Sequence, residues 1–559
     1  MEKIWLKSYP EGVPAEIDPN QYRSLREMWE EGFAKFGSAI AYTNMDVSLT
    51  YSQIEEASRA FGAWLQNEAG LKKGDRVALM MPNVLQYPIA IAGALRAGMT
   101  VVNTNPLYTP RELEHQLKDS GAKVILILEN FAHVLAEVIG STDVKKVILT
   151  GVGDMLGFPK GAIVNFVLRH VRKQVPAYDL PGALRWKDVI GAGRRHTLKP
   201  ADLGHEDIAF LQYTGGTTGV SKGAVLTHRN MVANVLQSGA WLGTAAPPAG
   251  TDIVITALPL YHIFSLTANC LVFMQSGARN VLITNPRDFK AFVAELKKYK
   301  FTYLSGVNTL FNALLNTPGF DTVDFDNLTV TLGGGMAVQR AVAERWKQVT
   351  GKVLTQAWGL TETSPAACIN PLIGHDFNGS IGLPISSTEV SIRDDDGNAL
   401  GIDAVGEICV RGPQVMRGYW NRPDETAKVM FPGGWLRTGD IGRMDSKGFV
   451  YIEDRKKDMI LVSGFNVYPN EVESVAVTHP GVLEVAAVAQ SDVRAGEVVA
   501  LFVVKKDPNL TAQDLIDHCR KSLTGYKVPK YVYFRTELPK TNVGKILRRA
   551  LRDELPKTA

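Results

Sequence analysis

One short segment carries most of the chemistry that the sequence offers. Residues 213–223 read Tyr-Thr-Gly-Gly-Thr-Thr-Gly-Val-Ser-Lys-Gly and contain no acidic residue. The glycines let backbone amides turn toward an anion, the hydroxyls can bind phosphate oxygens or a phosphate-bound metal, and Lys222 adds a positive charge. The spacing differs from that of P-loop NTPases and of dinucleotide-binding loops. We therefore predict a nucleotide-binding loop of another class, in preference to an ordinary polar turn.

Further positions could complete a nucleotide site. The triple glycine at 333–335 follows a strand-like run, which indicates close backbone approach by a helix or a flat ligand. Trp358 could stack on a purine and Glu362 could hold a magnesium ion, although core packing and surface exposure are the ordinary roles of such residues. Asp440 follows a tight turn and could accept hydrogen bonds from ribose hydroxyls. Arg455 lies in a charged cluster that is either a linker or a swivel touching the nucleotide.

A basic helix is predicted near the C-terminus, with Asn542 as its N-cap. Helical spacing would place four cations on one face and three apolar residues toward the core: Lys545, Arg548, Arg549 and Arg552, against Leu547, Ala550 and Leu551. A solvated face is the ordinary interpretation of such cations. A lysine at the helix start opposes the macrodipole, however, which favours a ligand-directed role for Lys545.

The elements that must position these residues read as an α/β protein. Between about residues 50 and 330, short β-rich runs alternate with helical patterns, which predicts layers with largely parallel sheets. From about 380 to 452, short strands and turns predict a small antiparallel or barrel-like unit. The remainder mixes strands and helices. We predict an N-terminal domain over 1–454 and a small mobile α+β domain over 455–559.

Composition and charge narrow the classes of function. The sequence has no evident signal peptide and no uncharged run of membrane-spanning length, and its four cysteines match no metal or redox spacing, so a cytoplasmic protein is expected. Residues 455–559 carry 17 Lys/Arg against 12 Asp/Glu, and the rest 44 against 45. That basic surplus suits a phosphate-bearing partner. No nucleic acid is expected, because base-stacking aromatics are not interleaved with the cations.

Residues 162–175 form an apolar helical pattern with Arg169, Arg172 and Lys173 near one end. One interpretation is a core-facing helix with a solvated basic tip. The other is a contact with a membrane surface, where cations meet anionic headgroups. The sequence leaves both open, together with the oligomeric state, a homodimer included.

Five ordered motifs resemble those of the acyl-adenylate-forming superfamily, which includes acyl-CoA synthetases, peptide-synthetase adenylation domains and luciferases. They are the 213–223 loop, Trp358-Gly-Leu-Thr-Glu362, Gly439-Asp440, Asp454-Arg455 and Gly544-Lys545. Residues 434–471 also resemble the fatty-acyl-CoA synthetase signature, and 258–264 and 306–315 are similar to bacterial long-chain enzymes. The resemblance covers essentially the whole chain.

The resemblance implies two half-reactions that use ATP, Mg²⁺ and coenzyme A. A fatty carboxylate attacks the α-phosphate to give acyl-AMP and pyrophosphate, and the coenzyme A thiol then displaces AMP. It implies a place in fatty acid degradation and lipid metabolism. Adenylation of another carboxylic acid, or acyl transfer to a carrier protein, is the alternative. A third hypothesis is a non-catalytic nucleotide-binding or membrane adaptor protein. The joint presence of Lys545, Glu362 and Asp440 argues against it.

The resemblance also implies roles for individual residues. Phosphate binding falls to the loop, namely Thr214, Gly215, Gly216, Thr217, Thr218, Gly219, Ser221, Lys222 and Gly223. Adenine would lie among Gly334, Gly335, Trp358, Gly359 and Thr361. Thr214 and Glu362 would hold Mg²⁺, and Asp440 with Arg455 would hold the ribose.

The remaining roles concern catalysis and domain movement. Lys545 would bridge the α-phosphate and the acyl oxygen, and His262 would border the acyl pocket unless it is a satisfied core histidine. The C-terminal domain would rotate about a hinge at Lys457, bringing the loop around Gly464 to the coenzyme A tunnel. Two departures stand out: Trp358 where tyrosine is commoner, and Ala337 where proline is frequent.

Overall fold

Two large, mainly parallel sheets form the body of the protein. The computed structural model describes residues 2–214, 221–492, 494–541 and 543–555. In spatial order, the nine-stranded sheet contains Leu383–Pro384, Ala366–Ile369, Leu354–Gly359, Val330–Gly333, Tyr303–Gly306, Ile253–Thr256, Arg279–Leu282, Ile40–Asn44 and Val47–Thr50. The seven-stranded sheet contains Leu184–Arg185, Lys146–Thr150, Val124–Leu128, Arg76–Met80, Thr100–Asn103, Ile208–Thr214 and Lys222–Thr227.

Two smaller sheets complete the fold. An antiparallel sheet contains Glu389–Arg393, Gly406–Arg411, Trp435–Met444 and Met430–Phe431, with Val450–Arg455 also pairing with Trp435–Met444. The C-terminal sheet contains Phe465–Val467, Ile460–Val462, Gly496–Lys505 and Val482–Asp492, and Tyr531–Arg535 pairs parallel to Gly496–Lys505.

Helices cover these sheets, and threonine side chains begin several of them. Thr50, Thr109, Thr227 and Thr511 each close a capping box that satisfies exposed backbone amides. The α-helices are Leu25–Phe36, Tyr51–Asn67, Gln86–Arg96, Pro110–Ser120, Ala132–Val138, Lys160–Phe166, Trp186–Gly193, His228–Leu242, Ile263–Ser265, Val272–Ser276, Phe289–Leu296, Asn308–Leu315, Arg340–Thr350, Pro423–Val429, Pro469–Ala476, Ala512–Arg520 and Arg548–Asp553. None of the helices in the described ranges is long and apolar enough to cross a bilayer.

The mixed α/β architecture confirms the predicted fold class. The apolar run before the phosphate loop is the buried strand Ile208–Thr214, and the 380–452 region contributes strands of the antiparallel sheet. Parallel strands sandwiched between helices are buried on both faces, which explains the uninterrupted burial of Val124–Leu128.

The helix predicted over 162–175 is shorter and less buried than a core-facing helix. The α-helix spans Lys160–Phe166, and a π-helical turn over Val167–Val171 ends it. Val164 and Leu168 pack against the core, but Ile163 and Phe166 are exposed. The core-facing interpretation therefore fails for half of the apolar face, because the segment lies on the rim of the domain.

The C-terminal helix begins later than predicted. It spans Arg548–Asp553 with Leu547 at its N-cap position, so the N-cap predicted at Asn542, which lies outside the described residues, is wrong. Lys545 lies in the turn before the helix, and the macrodipole argument does not apply to it.

Two side-chain assignments on this helix were also wrong. Leu547 is exposed instead of facing the core. Arg548 is not solvated, because Glu473 and Asp454 draw it inward, with Glu473 Oε2 at 2.9 Å. Leu551 is buried, as expected.

Candidate active site

A cavity of about 870 Å³ lies where strands of both large sheets end. Thr214 ends Ile208–Thr214, Gly334 and Gly335 follow Val330–Gly333, and Glu362 follows Leu354–Gly359. Ligands of α/β proteins bind at the carboxyl ends of parallel strands, where loops from several strands converge. The fold thus brings motifs that are far apart in sequence to one cavity, as the sequence predicted.

On one side of the cavity, Lys222 is held by an acid and an aromatic ring. Its Nζ lies 2.6 Å from Glu425 Oε2 and 4.7 Å from the centre of the Tyr419 ring. The Tyr419 hydroxyl donates a hydrogen bond to Glu362 Oε1 at 2.6 Å. Lys222 and Glu362 therefore face the same space beside Thr214, which also lines the cavity.

The remaining loop residues divide into two groups. Those predicted at 215–219, which are Gly215, Gly216, Thr217, Thr218 and Gly219, lie outside the described residues. Ser221 uses its carbonyl to accept a hydrogen bond from His115 Nε2 at 2.9 Å. Gly223 packs beneath the Tyr213 ring. Neither Ser221 nor Gly223 is among the described residues that line the cavity.

Asp440 is buried and is not among the described residues that line the cavity, but it holds two that are. Asp440 Oδ2 accepts a hydrogen bond from Trp358 Nε1 at 2.9 Å, and Asp440 Oδ1 lies 2.7 Å from Arg455 Nε. Trp358 is itself almost fully buried, so its indole is fixed in orientation. The tryptophan that replaces the commoner tyrosine thus supplies a donor of its own to the acid.

Backbone without side chains forms the floor next to the indole. A Cβ at Gly334 would lie 3.0 Å from the Phe264 ring, and Gly335 has a φ of +76° that favours glycine. A Cβ at Gly359 would lie 1.8 Å from the Pro365 carbonyl oxygen. These positions require glycine, and they leave a flat surface for a planar ligand. Thr361 lines the same side.

Lys545 enters the cavity from the C-terminal part of the chain. The carbonyl of the preceding Gly544 accepts a hydrogen bond from Thr309 Oγ1 at 2.9 Å, and a Cβ at Gly335 would lie 3.3 Å from Lys545 Cε. Burial, reinforced by Arg455, lowers the pKa of Lys545 to about 8. Its ammonium is thus a poorly solvated cation that an anionic ligand would stabilise.

His262 also lines the cavity. Burial, with Lys545 second, lowers the pKa of His262 to about 3, so the ring is neutral near pH 7. Its Nδ1 accepts a hydrogen bond from the Phe264 amide at 3.3 Å, which assigns the proton to Nε2. His262 is therefore a satisfied histidine and, at the same time, offers one N–H to the cavity.

One end of the cavity is apolar and aromatic. Its wall comprises Trp241, Leu242, Phe264, Tyr303, Leu332, Ile369 and Leu372. Trp241 packs against Tyr9 with ring centres 5.3 Å apart, and Tyr303 against Phe273 at 4.7 Å. A hydrocarbon chain would find no charged group along this wall.

The predicted hinge lies between the antiparallel and C-terminal sheets. Lys457 follows the strand Val450–Arg455 and lines the cavity, where burial, with Arg455 second, lowers its pKa to about 8. Gly464 occupies a left-handed turn between two strands of the C-terminal sheet, with a φ of +87°, and is not among the described cavity residues. The structure therefore brings Lys545 to the cavity and leaves Gly464 outside it.

The sequence analysis missed one wall of the site. The segment 419–428 supplies Tyr419, Arg422, Asp424, Glu425 and Lys428 to the cavity, at the start of the helix Pro423–Val429. The available signal was the Pro-Asp-Glu run at 423–425, which follows an arginine and precedes Lys428. It resembles any solvated helix start, which is why it carried no weight.

Two lysines from distant segments, Lys222 and Lys545, thus line one cavity together with Glu362 and the Trp358 indole. This arrangement fits a nucleotide-dependent enzyme of the adenylate-forming class. The chain belongs to the AMP-binding enzyme family: the family model with that description matches residues 29–420. A second, described as the AMP-binding enzyme C-terminal domain, matches residues 471–545.

Individual relatives show which members of the family this chain is similar to. The chain is 57% identical to a long-chain-fatty-acid–CoA ligase of Escherichia coli O157:H7 over 99% of this chain and 98% of that protein. It is 38% identical to the enzyme of the same name from Bacillus subtilis strain 168, over 99% and 98%. Among solved structures, ATP-bound MatB from Rhodopseudomonas palustris has a TM-score of 0.80 at 25% identity, over 95% of this chain and 98% of that one.

Proposed function

We propose that this protein activates long-chain fatty acids to acyl-CoA through an acyl-adenylate, consuming ATP and releasing AMP and pyrophosphate. The observation that carries the proposal is that Lys545 and Glu362 line one cavity with an apolar end. Buried Asp440 holds Trp358 and Arg455 in the wall of the same cavity. The identity of 57% to a long-chain-fatty-acid–CoA ligase supports this substrate class. The product would feed fatty acid degradation and lipid metabolism.

In the first half-reaction, a carboxylate oxygen attacks the α-phosphorus, and the bond to the bridging oxygen of pyrophosphate breaks. The carboxylate is a weak nucleophile that approaches a polyanion, so the protein must neutralise charge at the point of attack. Lys545 and Lys222 both line the cavity, and we assign Lys545 the α-phosphate and the acyl oxygen. Lys222, with the 213–223 loop, would hold the β- and γ-phosphates.

The nucleoside would bind on the side of the buried acid. We assign adenine to the surface formed by Gly334, Gly335 and Trp358, bordered by Gly359 and Thr361. Ribose hydroxyls would donate to Asp440, which already accepts hydrogen bonds from Trp358 and pairs with Arg455. Because those two partners hold the carboxylate in place, it is oriented before the nucleotide arrives.

The residues present suit Mg²⁺. Thr214 and Glu362 both line the cavity and offer one hydroxyl and one carboxylate, a hard-oxygen set that leaves room for water and phosphate ligands. Among the described residues, no group of three or more His, Cys, Asp or Glu side chains could hold a metal ion. Bound there, Mg²⁺ would offset the charge of the departing pyrophosphate.

In the second half-reaction, the sulfur of coenzyme A attacks the acyl carbonyl carbon, and the carbon–oxygen bond to AMP breaks. We propose that the C-terminal domain, residues 455–559, rotates about Lys457 between the two steps, while residues 1–454 stay in place. The strand Val450–Arg455 ends at the proposed boundary, and the next begins at Ile460. Gly464, now outside the cavity, would replace Lys545.

A carboxylate-dependent exchange of labelled pyrophosphate into ATP tests the first step, with fatty acids from short to very long. Long acids should support exchange better than aromatic or short ones, and failure of every fatty acid would refute the proposal. Product analysis with free coenzyme A then decides between thioester formation and the alternative, transfer to a carrier protein. Sedimentation equilibrium tests whether the enzyme is a homodimer.

We also propose a cytoplasmic location with peripheral contact to the inner membrane. Long-chain acids partition into bilayers because each buried methylene adds to the transfer free energy. Contact with the membrane would therefore give an enzyme that consumes these acids direct access to its substrate.

A further inference from the structure

An apolar projection lies away from the catalytic cavity, in residues 158–173, here called the projecting segment. Four large apolar side chains stand out of the surface there: Phe158 is 92% exposed, Ile163 58%, Phe166 60% and Val171 66%. Ile163 and Phe166 are three residues apart on one helix and therefore share a face. Isolated exposed apolar residues are common, but a cluster of this size within one short segment marks an interaction site.

The backbone of this segment is firmly attached to the domain. Asn165 accepts a hydrogen bond from the Gly153 amide at 2.7 Å and donates one to Asp154 Oδ1 at 2.8 Å. A Cβ at Gly161 would lie 2.2 Å from the Gly153 carbonyl oxygen, so the helix packs closely on the neighbouring turn. The exposed side chains are therefore presented by a fixed element.

The charged side chains of the projecting segment are all basic. No acidic residue occurs between Asp154 and Asp179. Arg169 pairs with Glu129 and Lys160 with Asp46 at 3.5 Å. Arg172 and Lys173 are exposed and have no acidic partner within the part of the chain that the structure describes.

We propose that the projecting segment docks the protein onto an anionic lipid bilayer, with Phe158, Ile163 and Phe166 inserted among the acyl chains and Arg172 and Lys173 on the headgroups. Apolar side chains rimmed by unpaired cations match such a surface in polarity and in charge. The role in substrate capture rests on the proposed function, because a long-chain acid resides in the bilayer.

A second copy of the chain fits this face less well. In a two-fold dimer the same patch meets itself, which would oppose Arg172 and Lys173 to their own copies. Neighbouring acids that could relieve that repulsion, Glu129 and Asp46, are already paired. An anionic surface neutralises the same cations.

Cosedimentation of the full-length protein with vesicles tests the proposal, using phosphatidylcholine with and without phosphatidylglycerol. We expect binding to the anionic vesicles that weakens with added salt. Phe158→Ser combined with Phe166→Ser should lower the apparent affinity by roughly tenfold or more. Arg172→Glu combined with Lys173→Glu should lower it by a similar factor at low salt.

Matched controls are available on other surfaces. Ile402→Ser removes an apolar side chain that is 51% exposed, and Lys72→Glu with Lys506→Glu makes the same change in net charge. These controls should bind like the unaltered protein. The proposal would be overturned if the unaltered protein did not bind vesicles. It would also be overturned if the Phe158/Phe166 variant bound them as tightly as the unaltered protein. A dimer of the unaltered protein that dissociates in this variant would also overturn the proposal, because the face would then be a self-interface.

Exchange of pyrophosphate into ATP without vesicles separates this proposal from the proposed function. Variants in the projecting segment should keep the exchange rate of the unaltered enzyme with a detergent-solubilised fatty acid, because none of its residues lines the cavity. Loss of vesicle binding with normal exchange supports the docking surface. Vesicle binding without any acid-dependent exchange would refute the enzyme assignment and leave the docking surface standing.

Discussion

Trp358 Nε1 donates a hydrogen bond to Asp440 Oδ2 at 2.9 Å, which couples the proposed adenine and ribose contacts. This hydrogen bond fixes the orientation of the indole, which lines the cavity together with Gly334 and Gly335. Asp440 in turn pairs with Arg455, which also lines the cavity. One buried acid therefore orients two residues of the proposed nucleoside site.

Trp358→Phe should retain the aromatic surface and remove this donor. Because a hydrogen bond to a charged acceptor contributes about 1.5–3 kcal/mol, we expect the KM for ATP to rise roughly tenfold or more. The KM for the fatty acid should change little. Trp435→Phe is the control, since Trp435 is buried among arginines outside the cavity. An unchanged KM for ATP would show that the hydrogen bond does not orient Asp440.

The ion pair between Lys222 and Glu425 leads to a prediction of opposite sign. A phosphate that binds Lys222 must compete with the Glu425 carboxylate and is repelled by it. Glu425→Gln should therefore lower the KM for ATP, by about threefold for a partly solvated pair, whereas Lys222→Ala should raise it. Glu389→Gln is the control, because Glu389 forms a similar half-buried pair with Arg411 at 2.8 Å outside the cavity lining. A higher KM in the Glu425→Gln variant would mean that Glu425 helps to bind the nucleotide.

The lowered pKa of Lys545 predicts a pH dependence of adenylation. A lysine with a pKa of about 8 in the free enzyme loses its proton as the pH rises through that value, and the neutral amine cannot balance phosphate charge. The kcat/KM for ATP in the exchange assay should therefore fall above about pH 8.

Lys457, whose pKa is also lowered to about 8, is the competing source of such a profile. Profiles of Lys457→Met distinguish the two lysines. A fall in kcat/KM that persists in this variant belongs to Lys545, and a fall that disappears would assign the titration to the hinge.

The buried ion pairs of Arg548 predict that replacing this residue strongly lowers the stability of the protein. Arg548 bonds Glu473 Oε2 at 2.9 Å and lies 3.5 Å from Asp454 Oδ1, both of which are largely buried. Burial, opposed by Arg548, raises the pKa of Asp454 to about 6. Arg548→Met leaves these acids without their cation, so we expect a loss of about 3–5 kcal/mol in the free energy of unfolding.

Arg549→Met is the matched control for that variant. Arg549 is 60% exposed and lies 3.9 Å from Asp553, and its replacement should change stability by less than about 0.5 kcal/mol. Denaturant unfolding followed by circular dichroism measures both variants. Equal stabilities would show that the buried acids are protonated or solvated.

Local signals in the sequence predicted much of the fold and several residues that line the cavity. Alternating strands and helices, the run before Thr214 and the glycines at 333–335 depend on neighbouring residues only, and their positions were correct. Glu425 was missed because its partner Lys222 is distant in sequence, and ion pairs between distant segments leave no periodic trace.

Errors at the two basic segments share a physical cause. Periodicity shows which residues can share a face, but tertiary packing decides which face is covered. Phe166 lies at the surface of the domain, so its apolar side chain projects into solvent. At Arg548, buried acids from two other elements turn inward a cation that periodicity alone places on a solvated face.

The most direct test of the account separates the two half-reactions in Lys545→Ala. Fatty-acid-dependent exchange of pyrophosphate into ATP should fall to background, because Lys545 is the cation that the C-terminal segment brings to the proposed α-phosphate site. Conversion of supplied acyl-AMP and coenzyme A to acyl-CoA should be largely retained, because Gly464 is expected to replace it. Equal loss of both reactions would contradict the proposed division between Lys545 and the rest of the C-terminal domain.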